Sequence, residues 1–236
     1  MDIMNIDIMD ILMYAVYILI FPGLLFTCVF GLWLAGIDRK VVARMQHRKG
    51  PPLAQPAYDF LKLLGKECIV PDGAARITFL AAPWLGLASL VVTVLFIPIG
   101  GLQAFGTGGD TVVILYLLTI PTLAMILGGS ASGSPFAGVG SSRTMVAIMS
   151  YELPLILIIL AVGKAAGGYG VTFSLGQITL FQYLTAPFIL DWRLIPAAIA
   201  MLFVIPCEVG QHPFDVGGAG TGICEGPLGE DSGAPP

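Results

Sequence analysis

The chain has 236 residues, of which 56% are hydrophobic and only 11% charged, with a formal net charge of −4 at neutral pH. Soluble domains carry roughly 25% charged residues, and so short a chain cannot bury that much apolar surface in a core of its own, so a lipid bilayer is its natural solvent. The small negative charge argues against a nucleic-acid partner.

Asp2, Asp7 and Asp10 precede the first apolar stretch. The chain therefore opens without the basic region of a cleavable signal peptide, and the first apolar segment is expected to remain as a membrane anchor. Five stretches read as membrane spans: 11–36, 77–99, 111–128, 144–163 and the shorter 194–209, a crossing taking about 20 helical residues. Pro22, Pro83, Pro121, Pro154 and Pro196 fall inside them. Membrane helices tolerate proline where neighbours satisfy the freed carbonyl. The expected fold is all-α: a polytopic transmembrane helical protein of about five membrane helices plus one interfacial amphipathic helix, with residues 1–236 as a single membrane domain.

Between the first two spans, residues 37–76 hold Arg39, Lys40, Arg44, Arg48, Lys49, Lys62, Lys66 and Arg76, eight of the 11 basic residues. The positive-inside rule assigns this loop to the cytoplasm. Counting spans, the N-terminus and the turns near 100–110 and 164–193 then lie outside. The 129–143 connection and the 210–236 tail lie inside. Arg143 agrees with that assignment; Lys164 and Arg193 oppose it. Within the loop, Gly50-Pro51-Pro52 stops any helix. Beyond it, Ala57, Phe60, Leu61, Leu64 and Cys68 share one helical side, while Asp59, Lys62 and Lys66 share another. That spacing predicts an amphipathic helix on the membrane surface, serving either as an interfacial anchor or as a docking platform for a cytoplasmic redox module. Residues 100–109 and 163–176 read as glycine-rich turns, and Gly128–Ser134 as a flexible connection without the Gly-Lys-Ser/Thr of a phosphate loop. No internal repeat supports an inverted-repeat transporter.

Two further segments carry chemistry. In Ser150-Tyr151-Glu152-Leu153-Pro154, Glu152 lies nine residues past Arg143, about 13 Å along a helix axis. An acid at that depth is a functional candidate, as a proton relay, by virtue of its cost; the plainer alternative is an interfacial acid paired with Arg143 or with a partner subunit. In Glu208-Val209-Gly210-Gln211-His212-Pro213-Phe214-Asp215, two carboxylates flank an imidazole that titrates near neutrality. Cys28, Cys68, Cys207 and Cys224 lie far apart with no Cys-x-x-Cys spacing. That argues against a disulfide framework and against a zinc or iron–sulfur site. No nucleophile–base pair and no dinucleotide fingerprint stands out, so the chain is expected to bind no cofactor or metal and to have no independent catalytic activity.

Five stretches, read together, carry a resemblance. They are Asp38-Arg39-Lys40 with Ala43 through Pro51, then Gln55-Pro56-Ala57-Tyr58-Asp59, Lys62 through Glu67, Ser150 through Pro154, and Pro213-Phe214-Asp215. In this order they resemble the complex I membrane subunit 1/H family, the respiratory-chain NADH dehydrogenase subunit 1. That family includes the membrane subunits of energy-converting nickel–iron hydrogenases and formate hydrogenlyases. Gly50-Pro51-Pro52 is followed by Gln55-Pro56 with only Leu53 and Ala54 between. This short form, like Ser132-Gly133-Ser134-Pro135-Phe136, is similar to the hydrogenase branch, with the quinone-reducing branch as the alternative.

The resemblance implies a membrane-anchor and coupling subunit in the cytoplasmic (inner) membrane. Such a subunit joins a peripheral redox arm to antiporter-like membrane subunits and to proton or sodium transport. It implies a proton or ion path through Glu152, Glu208 and Asp215, with Glu225 and Glu230 as further acids. It implies arm docking by Arg39, Arg44, Arg48, Lys62, Lys66 and Glu67. Partner subunits would carry the iron–sulfur clusters and nickel–iron centre, or flavin and quinone in the alternative. Where the family has a run of glutamates after Pro-Phe-Asp, this chain has Gly218, Gly220 and Gly222. Relatives also continue beyond the position of Pro236 through further membrane helices, so a truncated or diverged chain is expected. An independent ion transporter and a remnant with only a packing role are the readings from other classes.

Overall fold

The computed structural model describes residues 8–67, 70–71, 73–99, 108–168, 170–185, 187–210 and 214–218. Regular structure among them is helical: α1 (Ile8–Leu19), α2 (Leu24–Met45), α3 (Gln55–Leu64), α4 (Arg76–Phe96), α5 (Asp110–Ala131), α6 (Pro135–Ala166), α7 (Leu175–Leu184), a 3₁₀ turn (Phe188–Leu190) and α8 (Ile195–Val209). Four stretches are long and apolar enough to cross a membrane: Ala15–Met45, Arg76–Phe96, Asp110–Ala131 and Pro135–Ala166. The fifth expected span is α8, whose 15 residues reach about 22 Å of the roughly 30 Å of hydrocarbon. The protein is thus a polytopic helical membrane protein, with four full-length spans and one shorter apolar helix among the described residues. The chain forms two compact units, one ending at Val70 and the other starting at Pro71.

In the first unit, the expected span 11–36 is interrupted between Leu19 and Leu24, where Phe21-Pro22-Gly23 stops α1. Its continuation, α2, runs to Met45, so Arg39, Lys40 and Arg44 lie on helix and not in a loop. Arginine and lysine are good helix formers, and a basic last turn suits the helix dipole. The helix closes by a Schellman motif. Arg48 N–H donates to Ala43 O and His47 N–H to Arg44 O, with His47 left-handed at φ 56°.

The Gly50–Ala54 turn then folds back along α2. This close approach depends on the two buried residues of α2, Gly36 and Ala43. A Cβ at Gly36 would overlap the Leu53 carbonyl oxygen. The return leads into α3, with Pro56 in its first turn. Arg39 Nη1 donates to Asp59 Oδ2 at 2.8 Å, and Gln55 Nε2 donates to Asp59 Oδ1 at 3.0 Å. Phe60, Leu61 and Leu64 remain exposed, as the apolar side of an interfacial helix should.

The second unit is built on α4 and α5, an antiparallel pair. Gly128 packs on Ala82 and Gly86 on Ala124 and Pro121, small residues that let membrane helices approach closely. Ala75 N–H donates to Ala131 O at one end of this pair. At the other end Thr111 gives both its N–H and its hydroxyl to Phe173 O, beside the buried Asp110 in the first turn of α5.

The next helix, α6, starts at Pro135, nine residues before the expected 144, and the 129–143 connection shrinks to Ser132–Ser134. Its glycine- and serine-rich start is helical because each hydroxyl bonds back within the helix: Ser141 to Ala137 O, Ser142 to Val139 O and Thr144 to Gly140 O. Leu115 of α5, Leu155 of α6 and Val204 of α8 form one apolar layer. Ile126, Ile148 and Tyr151, with Cys207, form a second. α7 and the 3₁₀ turn occupy the stretch 164–193 that was expected to be a loop.

Two outcomes follow. Gly36→Val should push the Leu53 carbonyl off α2 at an overpacking cost of about 1–3 kcal/mol. Trypsin should then cut after Arg48 and Lys49 at least about fivefold faster than in the wild type. The Arg39 guanidinium, helped by Gln55, holds the Asp59 carboxyl below its ordinary value. A depressed carboxylate contributes its stability above the unfolded value, about 3.9, and loses it as pH falls through the folded one. Spin labels on Val41 and Leu63 should therefore report a constant α2–α3 distance from pH 8 to about 5 and a broader one below about 4. Asp59→Asn should remove that acid dependence.

Candidate functional site

One face of α6 carries Thr144, Ile148, Tyr151 and Leu155, all buried and spaced four, three and four residues apart. That is the inward stripe of a packed helix. Glu152 is one residue off the stripe and half-buried at its edge. On α8, Met201, Val204 and Cys207 pack the same core, so the following residue, Glu208, is carried toward Tyr151. Gly210, left-handed at φ 66°, ends α8. Beyond it, residues 214–218 lie against α6, where a Cβ at Gly217 would overlap the Thr144 hydroxyl.

These elements and α5 enclose a cleft of about 210 Å³ lined by Thr122, Thr144, Tyr151, Cys207, Glu208 and Asp215, among others. Tyr151 Oη approaches Thr122 and Glu208, and the charge of Glu152 acts on Glu208. No hydrogen bond closes, however: Tyr151 Oη and Glu208 Oε2 are both buried without a partner among the described residues. An unsatisfied buried polar atom costs about 1–3 kcal/mol, more if charged. A cleft with several polar walls and room for several water molecules is the arrangement that relieves such a cost. Pro121 of α5 lines this cleft, while Pro154 and Pro206 interrupt α6 and α8 outside its lining. The site is thus a polar gap beside apolar core, able to hold a proton on a carboxylate, a phenol or water.

Of the five acids expected to form a path, the structure brings Glu208 and Asp215 into one cleft, with Glu152 at its flank. Asp215 Oδ1 accepts the Gly218 N–H at 2.9 Å, so this carboxylate also shapes its own turn. Glu152 makes no ion pair with Arg143. Glu225 and Glu230 lie outside the described residues, as does His212. Of the residues expected to dock a partner, Arg39 is held by Asp59 and Arg48 Nε donates to Gln46 at 2.8 Å. Arg44, Lys62, Lys66 and Glu67 are exposed.

The sequence reading missed Tyr151, Thr122 and Thr144 as site residues. The buried stripe of α6 was the signal for two of them, because its period puts positions 144 and 151 on one face. Asp110, 1% exposed, was also missed, read only as the edge of a glycine-rich turn.

The sequence profile of the NADH dehydrogenase family matches residues 15–235. Hydrogenase-4 component C of Escherichia coli (strain K12) is 32% identical over 204 residues, covering 84% of this chain and 61% of that protein. The H subunit of the NADH-quinone oxidoreductase of Thermomicrobium roseum is 34% identical over 223 residues, covering 85% of this chain and 64% of the relative. A solved chain of the membrane-bound sulfane sulfur reductase (MBS), an archaeal respiratory membrane complex, superposes with a TM-score of 0.81 at 32% identity, over 89% of this chain and 67% of that one. The chain therefore spans about three-fifths of the two relatives compared by sequence. With a family profile matched over nearly the whole chain and relatives more than 30% identical, the chain belongs to the NADH dehydrogenase subunit 1/H family.

Proposed function

We propose that this chain is the membrane-embedded coupling subunit of a hydrogenase-type respiratory complex, passing protons between a peripheral redox arm and ion-moving membrane partners. The observation that carries the reading is the pair of buried, unpartnered atoms, Tyr151 Oη and Glu208 Oε2, facing one cleft with the Glu152 charge beside them. Polar groups in hydrocarbon are costly and mark ion paths. The two carboxylates act on one another, so a charge gained or lost at one is felt at the other. A change of charge in the arm would shift a proton between Glu208, water in the cleft and Glu152. Asp215 lines the mouth from its turn. The exposed Arg44, Lys62 and Lys66, with Glu67, offer the docking surface, and the density of basic residues there favours the cytoplasmic side.

The likeness to hydrogenase-4 component C and the short Gly50–Gln55 connection favour the hydrogenase branch. The likeness to the Thermomicrobium roseum protein supports a second reading, in which the same path serves an NADH:quinone oxidoreductase. In either case the electron carriers, iron–sulfur clusters with nickel–iron or flavin and quinone, belong to partner subunits.

The test is coupled transport by the assembled complex in liposomes. Glu208→Gln keeps the shape and removes the titrating group. It should lower ion translocation at least about tenfold while electron transfer by the partners and assembly persist. Unchanged translocation would reduce the cleft to packing. Tyr151→Phe separates the roles further. If the hydroxyl were only an unsatisfied structural burden, its removal would stabilise the protein by about 1 kcal/mol with transport intact. The proposal expects transport to fall.

A further inference from the structure

We infer that the end of α6 opposite Arg143 carries a binding site for one anionic phospholipid headgroup, built around Lys164 and Arg193. The site is separate from the carboxylate cleft and stands whether or not that cleft moves protons. Lys164 lies 21 residues beyond Arg143 on the same continuous helix. That is about 32 Å, close to the thickness of the hydrocarbon core, so the two cations mark opposite headgroup layers.

Lys164 and Arg193 are the two basic residues that the sequence assigns to the layer where lysine and arginine are normally scarce. They are 29 positions apart in the chain. The fold nevertheless brings both to one cavity of about 660 Å³, together with Phe181, Phe188, Leu190 and Asp191. That volume suits a lipid-sized ligand.

The surroundings indicate lipid as the source of the anion. Tyr183 and Trp192 are 89% and 74% exposed, and exposed tyrosine and tryptophan sit at the membrane–water interface. Leu180, Leu184, Ile189 and Leu190 are exposed with them, a surface that belongs against acyl chains. Inside, Phe181 and Phe188 stack with ring centroids 5.7 Å apart and give the cavity an apolar wall. The charges balance for one phosphodiester. Asp191 Oδ1 accepts the Arg193 N–H at 3.0 Å and forms no ion pair with Lys164 or Arg193. Two cations against one carboxylate leave one positive charge. A zwitterionic headgroup has no net charge to match it, whereas phosphatidylglycerol carries one negative charge.

The test uses the full chain in its native assembly, delipidated in mild detergent and titrated with phosphatidylglycerol or phosphatidylcholine while native mass spectrometry counts retained lipids. Selective retention of phosphatidylglycerol is expected. Lys164→Gln and Arg193→Gln should each weaken it about fivefold, and Lys49→Gln, in the exposed turn after α2, should leave it unchanged. Asp191→Asn keeps an acceptor for the Arg193 N–H while raising the local charge, so it should tighten retention. This variant tests the idea even if loss of Arg193 perturbs the turn. Equal retention of the two lipids, no response to any of these variants, or displacement by inorganic phosphate at matched concentration would overturn the inference.

Discussion

In hydrocarbon, a polar group has no water to fall back on, and the helices of this protein are arranged around that constraint. Serine and threonine hydroxyls in α4, α5 and α6 turn back onto their own helices: Thr93 onto Ser89, Thr119 onto Tyr116 and Thr144 onto Gly140. These bonds let glycine- and serine-rich sequence stay helical where, in water, it would favour turns. Against this background of satisfied groups, Tyr151 and Glu208 stand out as the described exceptions. Every other part of the site depends on the fold tolerating them: the proline-interrupted helices, the small-residue contacts that draw helices together, and the turn that lays Asp215 over the cleft.

The two compact units place their candidate functional charges in different surroundings. The first unit carries the dense basic stretch, with Arg39 held by Asp59 and its neighbours exposed. The second carries the acids in a polar gap of an apolar bundle. A charge exposed to water interacts weakly and is screened by salt, which suits recognition. A charge held in a low-dielectric gap interacts strongly with whatever is near it, which suits a switch. The same ionisable side chains thus serve different ends because their solvents differ.

Much of the fold was legible because hydrophobic length is a strong signal: α4 and α5 begin at Arg76 and Asp110, each within one residue of the expected starts at 77 and 111. The misreadings share a cause. Rules learned from water treat Gly138-Val139-Gly140-Ser141-Ser142 and Asp38-Arg39-Lys40 as loop, yet the first is held by back-bonded hydroxyls and the second extends a helix already under way. α8, expected as the shorter apolar stretch 194–209, runs over Ile195–Val209, its start set by the turn at Asp191–Leu194. In the candidate site the carboxylates were legible because acids in apolar sequence are conspicuous. Tyr151 was not, although it lies in the Ser150–Pro154 segment, since sequence does not show whether a tyrosine hydroxyl finds a partner.

The continuity of α6 has a mechanical consequence. Its 32 residues form a rod of about 48 Å with one weakened rung, where Pro154 interrupts the ladder. Bending there divides the rod into a longer arm bearing Arg143 and a shorter one ending near Lys164. The acids sit beside the fulcrum, where displacement is smallest, while the headgroup layers meet the arms near Arg143 and Lys164, where a tilt of about 4° moves atoms by about 1 Å. Such a lever leaves the distances among the acids nearly fixed as its ends follow the membrane surfaces.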